Sequence, residues 1–326
     1  MPANLTPVYH AAEERFRQAK TKEEKIAALE EMLAVIPKHK GTDHLQADIK
    51  RRIAKLRDEG DEKGGAKSGD PFLIPKEGAG QVVLMGFPNT GKSALVGALT
   101  RAKVTVADYP FSTPLPVSGM MSYEDILIQL VDLPPVTAEE MPKGMAGTLR
   151  LADLVAITLD LGADDCLEQW QGSLDLLNER RILKIPGEVE GQHTKEPADF
   201  LLIMTKSDAA GADERLELLR EMVPPGWFAV TVSAHDPDSL NRLRKTIFER
   251  LGIIRVYSKI PGKEVDRSNP FVLKTGQTVL DMAARVHRDF PDKLKSAKVW
   301  GSAKFPGQAV EKDYPLADGD VVELHV

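Results

Sequence analysis

The sequence predicts an α/β fold, in which a mostly parallel, doubly wound sheet lies between a helical hairpin and a small α+β domain. Two observations predict the sheet. Strand-like runs alternate with helical stretches between residues 81 and 252. The runs are apolar throughout, which is typical of strands that are buried on both faces. The five runs are Val82–Met85, Ile126–Val131, Leu154–Leu159, Phe200–Met204 and Phe228–Val232.

The segment before the sheet, residues 1–59, predicts two antiparallel helices joined by a short turn. Apolar residues recur at helical spacing after Thr21 and again after Thr42, and a proline and a glycine separate the two stretches. Residues 60–80 are dense in glycine, lysine and aspartate, so they predict a linker.

The segment after the sheet, residues 253–326, predicts a domain of the β-grasp type, in which one helix packs on a small mixed sheet. The helix is expected at Val279–Phe290, with Thr278 as its N-cap and Asp281 at the capping-box position. The strand-like pieces are Arg255–Ser258, Phe271–Leu273, Lys298–Trp300 and Val321–Val326.

Composition narrows the class of protein. A chain of 326 residues predicts two or three domains. Its net charge of −6 argues against nucleic-acid binding over the whole surface. The single cysteine, Cys166, excludes an internal disulfide framework and is expected to be a buried apolar residue rather than a reactive thiol. The short apolar runs and the absence of a signal-peptide pattern after Met1 predict a cytoplasmic protein without membrane spans.

A glycine-rich loop follows the first apolar run and matches G-x-x-x-x-G-K-[ST], the P-loop of nucleoside triphosphatases. Its backbone N–H groups are expected to surround phosphates, Lys92 to neutralise the β- and γ-phosphates, and Ser93 to bind Mg²⁺. The alternative is a glycine-rich turn with an exposed lysine. The predicted contact residues are Gly86, Phe87, Pro88, Asn89, Thr90, Gly91, Lys92, Ser93 and Ala94.

Two further residues are expected at the metal. Asp132 directly follows the run Ile126–Val131, where its carboxylate can hold Mg²⁺ through water. Thr113 lies in the loop before that strand, where a threonine can complete the metal shell. Lys92, Thr113 and Asp132 are the predicted catalytic residues. A lone aspartate at the end of a strand can also be a simple cap or turn former.

The base-binding residues are expected after the last two runs. Asp208 decides the base, because one carboxylate can accept both the N1–H and the exocyclic amine of guanine. Lys206 can lie along the base, and the Ser233–Ala234 backbone can reach the guanine carbonyl. Taken alone, the string Thr205-Lys206-Ser207-Asp208 also fits a solvated loop.

Together, GFPNTGKS, DYPFST at residues 108–113, TKSD and SA resemble the Obg superfamily of GTPases, and in particular its developmentally regulated GTP-binding (DRG) branch. The hairpin string HLQADIKRRIAKLR is similar to the N-terminus of that branch. The tail strings RVYSK, VHRDF, KVWG and ADGDVVEL resemble a TGS domain. The resemblance implies GTP and GDP binding, Mg²⁺, GTP hydrolysis and work around ribosomes. It also implies that Thr113 is the switch threonine and that Asn89 helps to hold a K⁺ ion.

The chain departs from this family pattern in four places. Pro135 replaces a glycine whose N–H would contact the γ-phosphate, and Val136 occupies the position of the water-orienting glutamine of Ras-like enzymes. The first change predicts weaker discrimination between GTP and GDP, and the lack of a glutamine at position 136 predicts slow intrinsic hydrolysis. Thr205 replaces the usual asparagine, which is expected to loosen guanine binding. The short stretch between Leu177 and Leu201 has no room for the domain that the DRG branch inserts there.

The second predicted helix of the hairpin is basic. Charge alone favours a solvated helix face, whereas the resemblance favours contact with RNA or a ribosome through this helix and the TGS-like domain. In the tail, Trp300 and Phe305 could stack on bases, although burial of Trp300 is the simpler expectation. The basic residues lie between positions 38 and 57: Lys38, Lys40, Lys50, Arg51, Arg52, Lys55 and Arg57.

Three functional hypotheses follow. The first is a Mg²⁺-dependent, slow GTPase that acts as a switch on a ribosome or another RNA-containing assembly. The second is a guanine-nucleotide-binding scaffold without meaningful hydrolysis. The third is ATP hydrolysis, against which Asp208 argues.

Overall fold

The computed structural model describes residues 7–18, 22–36, 49, 52, 71–100, 115–138, 140–184 and 194–325. The chain divides into two compact units, Met1–Asp70 and Pro71–Val326. Among the helices of the described residues, none is both long enough and apolar enough to span a bilayer.

The first unit contains helices α1 (Pro7–Gln18) and α2 (Lys22–Val35). Their apolar faces form a cluster with Ile49, and an ion pair of 2.5 Å joins Arg15 to Glu31 across the two helices. The sequence did not separate α1 as an element of its own. Thr21 and most of the predicted second helix, including its basic residues other than Arg52, lie outside the described residues.

The second unit holds the remaining elements. Its described helices are α3 (Lys92–Leu99), α4 (Met145–Leu151), α5 (Cys166–Glu179), α6 (Ala212–Met222), α7 (Pro237–Arg250), α8 (Val279–Val286) and α9 (Phe290–Lys293). Its strands are β1 (Gln81–Met85), β2 (Val117–Tyr123), β3 (Ile126–Asp132), β4 (Leu154–Asp160), β5 (Phe200–Thr205), β6 (Phe228–Thr231), β7 (Ile253–Ser258), β8 (Phe271–Lys274), β9 (Ser296–Trp300), β10 (Gln308–Val310) and β11 (Val321–His325).

The first six strands form one sheet in the order β2-β3-β1-β4-β5-β6. Strand β2 runs antiparallel to β3, and the other neighbours are parallel, which confirms the predicted mostly parallel, doubly wound sheet. Because parallel strands share a direction, the carboxyl ends of β1, β3, β4 and β5 meet at one edge of the sheet. The loops that follow those strands therefore lie together.

Burial on both faces explains why the predicted strands are apolar without alternation. Every residue of β1, β4 and β5 is buried. Val83 and Met85 face one core, whereas Val82 and Leu84 face the other. Cys166 belongs to the first core, and burial raises the pKa of its thiol, as expected for a structural cysteine.

The last five strands form a second sheet in the order β10-β9-β11-β7-β8, with β7 and β11 parallel at its centre. Helix α8 packs on this sheet, which gives the predicted β-grasp arrangement. The capping box is present, since Thr278 and Asp281 bond each other's backbone N–H groups. The helix stops earlier than predicted, because the backbone of His287 is extended and a new helix begins at Phe290, just before Pro291.

Two strands have no clear signal in the sequence. Strand β2 reads VSGMMSY and becomes a strand by pairing along its whole length with β3. Strand β10 has three residues and pairs with β9. In both segments, pairing with an adjacent strand outweighs a weak local strand propensity.

Candidate nucleotide-binding site

The glycine-rich loop that follows β1 has a backbone conformation that most residues with a side chain cannot easily adopt. A Cβ on Gly86 would lie 2.3 Å from Thr158 Oγ1, so this position has no room for a side chain. Asn89 and Gly91 have φ values of 63° and 85°, in the left-handed region. The loop then opens helix α3 at Lys92, with the N-terminal end of that helix beside the loop.

Lys92 lies folded against this loop. Its ammonium donates to the carbonyl oxygens of Gly86 at 2.9 Å and Phe87 at 2.8 Å, and the residue is 6% exposed. Burial lowers the pKa of Lys92, and the charge of Asp132 opposes this effect. A desolvated cation whose hydrogen bonds in the described structure go to neutral carbonyls favours the binding of an anion.

Ser93 and Asp132 form the second polar group of the site. The Ser93 hydroxyl donates to Asp132 Oδ2 at 2.5 Å. Burial raises the pKa of Asp132, while the Ser93 bond and the Lys92 charge oppose the rise. Within the described residues, Asp132 Oδ1 is buried without a hydrogen-bond partner. A hydroxyl and a carboxylate with an unused oxygen fit Mg²⁺, which prefers oxygen ligands and keeps several of its waters.

One cavity of about 600 Å³ joins these groups. Such a volume suits a small-molecule ligand. The cavity is lined by the glycine-rich loop on one side and by residues 132–135 on another. Its lining includes Asn89, Lys92, Ser93, Asp132, Pro135 and Lys206. Thr113, predicted at the metal, lies outside the described residues.

The residues predicted to bind the base lie at the ends of β5 and β6. Ser207 N donates to Val232 O at 3.3 Å, which joins the two loops. A hydrogen bond with the Ser233 hydroxyl lowers the pKa of Asp208, which is exposed. Ser239 Oγ lies 3.1 Å from Ser233 N and 2.9 Å from Ser233 O, so it fixes the segment that leads to Ala234.

Thr205 connects the two halves of the site. This buried side chain donates to Thr90 O in the phosphate loop at 2.8 Å, with Leu159 O at 3.1 Å as its other acceptor. Thr90 is held a second time, because its hydroxyl lies 2.8 Å from that of Thr158 on β4. Thr205, which stands where the family usually has asparagine, therefore connects the base loop to the phosphate loop. The sequence alone, from which we expect looser guanine binding, does not indicate this hydrogen bond.

The residues after Asp132 place their side chains in two different environments. Pro135 lines the cavity, where it offers no N–H. Val136 is fully buried in the first core, and its N–H donates to Gly86 O at 3.2 Å. The side chain at the position of the Ras glutamine is thus packed in the core.

The structure therefore brings the phosphate loop, Asp132 and Lys206 around one cavity. Thr205 is buried beside the loop, and Asp208, Ser233 and Ala234 are not among the residues that line this cavity. Sequence reasoning missed Thr158 and Asp160 of β4, which contact the loop and Lys206. A strand, a phosphate loop and a helix at the carboxyl edge of a parallel sheet define a P-loop nucleotide-binding protein.

Comparisons with protein families agree with this class. Residues 81–206 match the family model described as 50S ribosome-binding GTPase, and residues 254–326 match the TGS domain model.

Individual relatives extend the match over most of the chain. An uncharacterised GTP-binding protein of Methanocaldococcus jannaschii is 29% identical, with 93% of this chain and 92% of the relative covered. Developmentally-regulated G-protein 2 of Arabidopsis thaliana is 28% identical, with coverage of 92% and 90%. That alignment runs over 365 positions, more than the 326 residues of this chain, so the relative carries residues without a counterpart here.

The YchF GTPase of Schizosaccharomyces pombe is similar in structure, with a TM-score of 0.53 at 12% identity over 77% of this chain and 99% of that chain. This likeness bears on the fold alone. From the family models and the relatives, the chain is similar over most of its length to GTP-binding proteins of the developmentally regulated type, and it combines a segment that matches a GTPase family model with a following segment that matches the TGS domain model.

Proposed function

We propose that the protein is a Mg²⁺-dependent GTPase with a slow intrinsic rate, which works as a switch on a ribosome or another RNA-containing assembly in the cytoplasm. The observation that carries the proposal is that Lys92, Asp132 and Lys206 line the same cavity. In this proposal, the phosphate-binding part and the base-binding part of the site contact the same ligand, as the binding of a nucleoside triphosphate requires.

Each residue has a proposed role in binding. The backbone N–H groups of residues 86–94 surround the phosphates, and Lys92 exchanges its carbonyl contacts for phosphate oxygens. Ser93 and Asp132 would hold Mg²⁺, with Thr113 completing the shell. When bound, the ion would supply positive charge that neutralises the phosphates.

The base end is proposed to select guanine. Asp208 accepts from guanine N1–H and from the exocyclic amine, Lys206 lies along the base, and the Ser233–Ala234 backbone contacts the carbonyl. The hydrogen bond from Ser233 favours the ionised form of Asp208, which is the form that accepts both bonds.

Slow turnover is proposed from Pro135 and Val136. Within the described residues, the Val136 side chain is in the core, so it cannot orient water, and Pro135 has no N–H for the γ-phosphate. We therefore assign acceleration to a partner or to a K⁺ ion beside Asn89. The family description as a 50S ribosome-binding GTPase and the TGS domain support a ribosomal partner.

The test is phosphate release from GTP by the purified chain, in sodium and in potassium buffers, with and without ribosomal subunits. We expect slow release that potassium or ribosomes increase, and no release from the Lys92→Ala variant. Background release under all four conditions would contradict the hydrolytic switch. Competition by ATP, and by xanthine nucleotides against Asp208→Asn, tests base selection, because the substitution should lower the preference for guanine.

A second candidate function is a guanine-nucleotide-binding scaffold without turnover. Pro135 supports it, because the cavity lacks an N–H that would distinguish GTP from GDP at that point. Equal affinities for GTP and GDP, together with no hydrolysis under any cation, would select the scaffold over the switch.

A further inference from the structure

Strand β4 carries none of the sequence motifs, yet its carboxyl end lies under the base-binding loop. The last residue of the strand, Asp160, is 4% exposed. Its Oδ2 lies 2.5 Å from Nζ of Lys206, and its Oδ1 accepts the N–H of Gly162 at 2.8 Å. A buried carboxylate thus anchors the lysine of the base loop.

The residues around this ion pair pack tightly against it. Lys206 has φ of 54°, a left-handed conformation that is uncommon for lysine. A Cβ on Gly162 would lie 3.1 Å from Asp160 Oδ1 and 3.5 Å from Lys206 Cδ. Gln169 Oε1 accepts the N–H of Asp160 at 2.9 Å and fixes the end of the strand from the other side.

The anchor leaves the lysine stem available to a ligand. The Lys206 side chain is 45% exposed although its ammonium is paired, whereas the Asp160 side chain is 6% exposed. Lys206 also lines the cavity that the phosphate loop lines. A free lysine side chain loses considerable rotamer freedom when it packs on a ligand, and an anchored one has lost it beforehand.

We propose that Asp160 is a positioning residue for nucleotide binding, which holds the Lys206 stem across the cavity so that the base packs on it. This inference rests on the proposed function, because it needs a nucleotide in the cavity. Asp160 touches no nucleotide in this scheme and acts only through Lys206.

The test is a double-mutant cycle on the dissociation constant for GDP, measured with a fluorescent GDP analogue. Asp160→Asn should raise the Kd about five- to tenfold, the range expected for one side chain that must be ordered on binding. In the Lys206→Met background, Asp160→Asn should change the Kd by less than about twofold. Asp164→Asn is the matched control, because Asp164 pairs with Arg215 and its side chain is 98% exposed; its Kd should equal that of the wild type.

Every outcome decides the proposal. An unchanged Kd for Asp160→Asn, or an equal loss with and without Lys206, would overturn it, the latter by assigning Asp160 a structural role. Should Asp160→Asn not fold in a thermal-unfolding measurement, Gly162→Ala replaces it in the cycle, since its Cβ would lie 3.1 Å from Asp160 Oδ1 and would displace that carboxylate. Failure of the wild-type protein to bind GDP would instead refute the proposed function.

Discussion

Arg255 of β7 reaches out of the TGS domain and holds Asp125, in the turn between β2 and β3 of the GTPase sheet, at 3.0 Å. The same guanidinium makes a bidentate contact with Asp318 at 2.8 and 3.0 Å, and the Tyr257 hydroxyl also donates to Asp125. The hydrogen bond to Asp318 is the largest cause of the raised pKa of Arg255. One arginine thus joins the two sheets.

This junction predicts cooperative stability. Asp125→Asn and Arg255→Met should each lower the free energy of unfolding, and their coupling energy should be on the order of 1–2 kcal/mol, because the two side chains are only 26% and 15% exposed. Urea unfolding of the wild type, both single variants and the double variant measures the coupling.

The matched control is the Lys245–Glu249 pair, whose side chains are 65% and 59% exposed. Its coupling should stay below about 0.5 kcal/mol. Equal coupling in the two cycles would show that the Arg255 contact has no special role.

Asp132 is predicted to weaken the folded protein in the absence of nucleotide and metal. Because burial raises its folded-state pKa, its contribution favours folding below the ordinary value of 3.8 and is lost as pH rises through the raised pKa. Asp132→Asn should therefore raise the Tm at pH 7 by about 2–4 °C, for roughly 1 kcal/mol, while weakening Mg²⁺-dependent nucleotide binding. Differential scanning fluorimetry from pH 4 to pH 8 measures it.

The comparison variant is Asp175→Asn, in an exposed position on α5. No gain in Tm is expected from it at any pH. A gain for Asp132→Asn that disappears towards pH 4 has the predicted sign, and a loss of Tm at pH 7 has the wrong one.

Thr205 is predicted to contribute to affinity through its hydroxyl. Thr205→Val keeps the shape but leaves Thr90 O without this donor, which should cost about 1 kcal/mol and raise the Kd for GDP about fivefold. Thr205→Ser, and Thr205→Asn with the family residue, should recover most of the affinity. Isothermal titration with GDP measures the series.

The control is Thr246→Val on α7, where the hydroxyl donates to Arg242 O at 2.9 Å on the surface of the domain. GDP affinity should not change there. Full affinity in Thr205→Val would mean that the link between the two loops is not needed for binding.

Val136→Gln is predicted to destabilise the protein without increasing the rate of GTP hydrolysis. The side chain is fully buried, so an amide there would lack partners at a cost of about 1–3 kcal/mol, or several degrees of Tm. Leu127→Gln, at a position that is 49% exposed, should leave Tm nearly unchanged. A higher rate of phosphate release from Val136→Gln would show that this side chain can reach the cavity.

The sequence predicted those parts of the molecule that depend on local pattern. Apolar runs such as Leu154–Leu159 indicated the buried strands, and the phosphate loop was clear from its glycines. Asp160 could have been found by the cue that indicated Asp132, since both are carboxylates directly after an apolar run. Thr158 could not, because a threonine inside such a run also suits a simple strand residue.

Contacts between distant segments left no local trace. The bond from Thr205 to Thr90 spans 115 positions, and the Arg255–Asp125 contact spans 130. Both depend on the packing of the completed fold. The substitution of asparagine by threonine therefore looked like a loss in the sequence, whereas the structure shows a hydroxyl that makes the connection.

The β2–β3 hairpin carries one continuous ladder from Val117 opposite Asp132 to Tyr123 opposite Ile126. One end of this ladder lies at the cavity, and the turn at the other end is held by the TGS domain. Linkage between binding sites is reciprocal. A macromolecule that binds at the TGS end more tightly in one nucleotide state must therefore change the ratio of the GDP and GTP affinities by the same factor as that preference. An exchange stimulus could then be delivered from the far end of the ladder, without any group entering the nucleotide cavity.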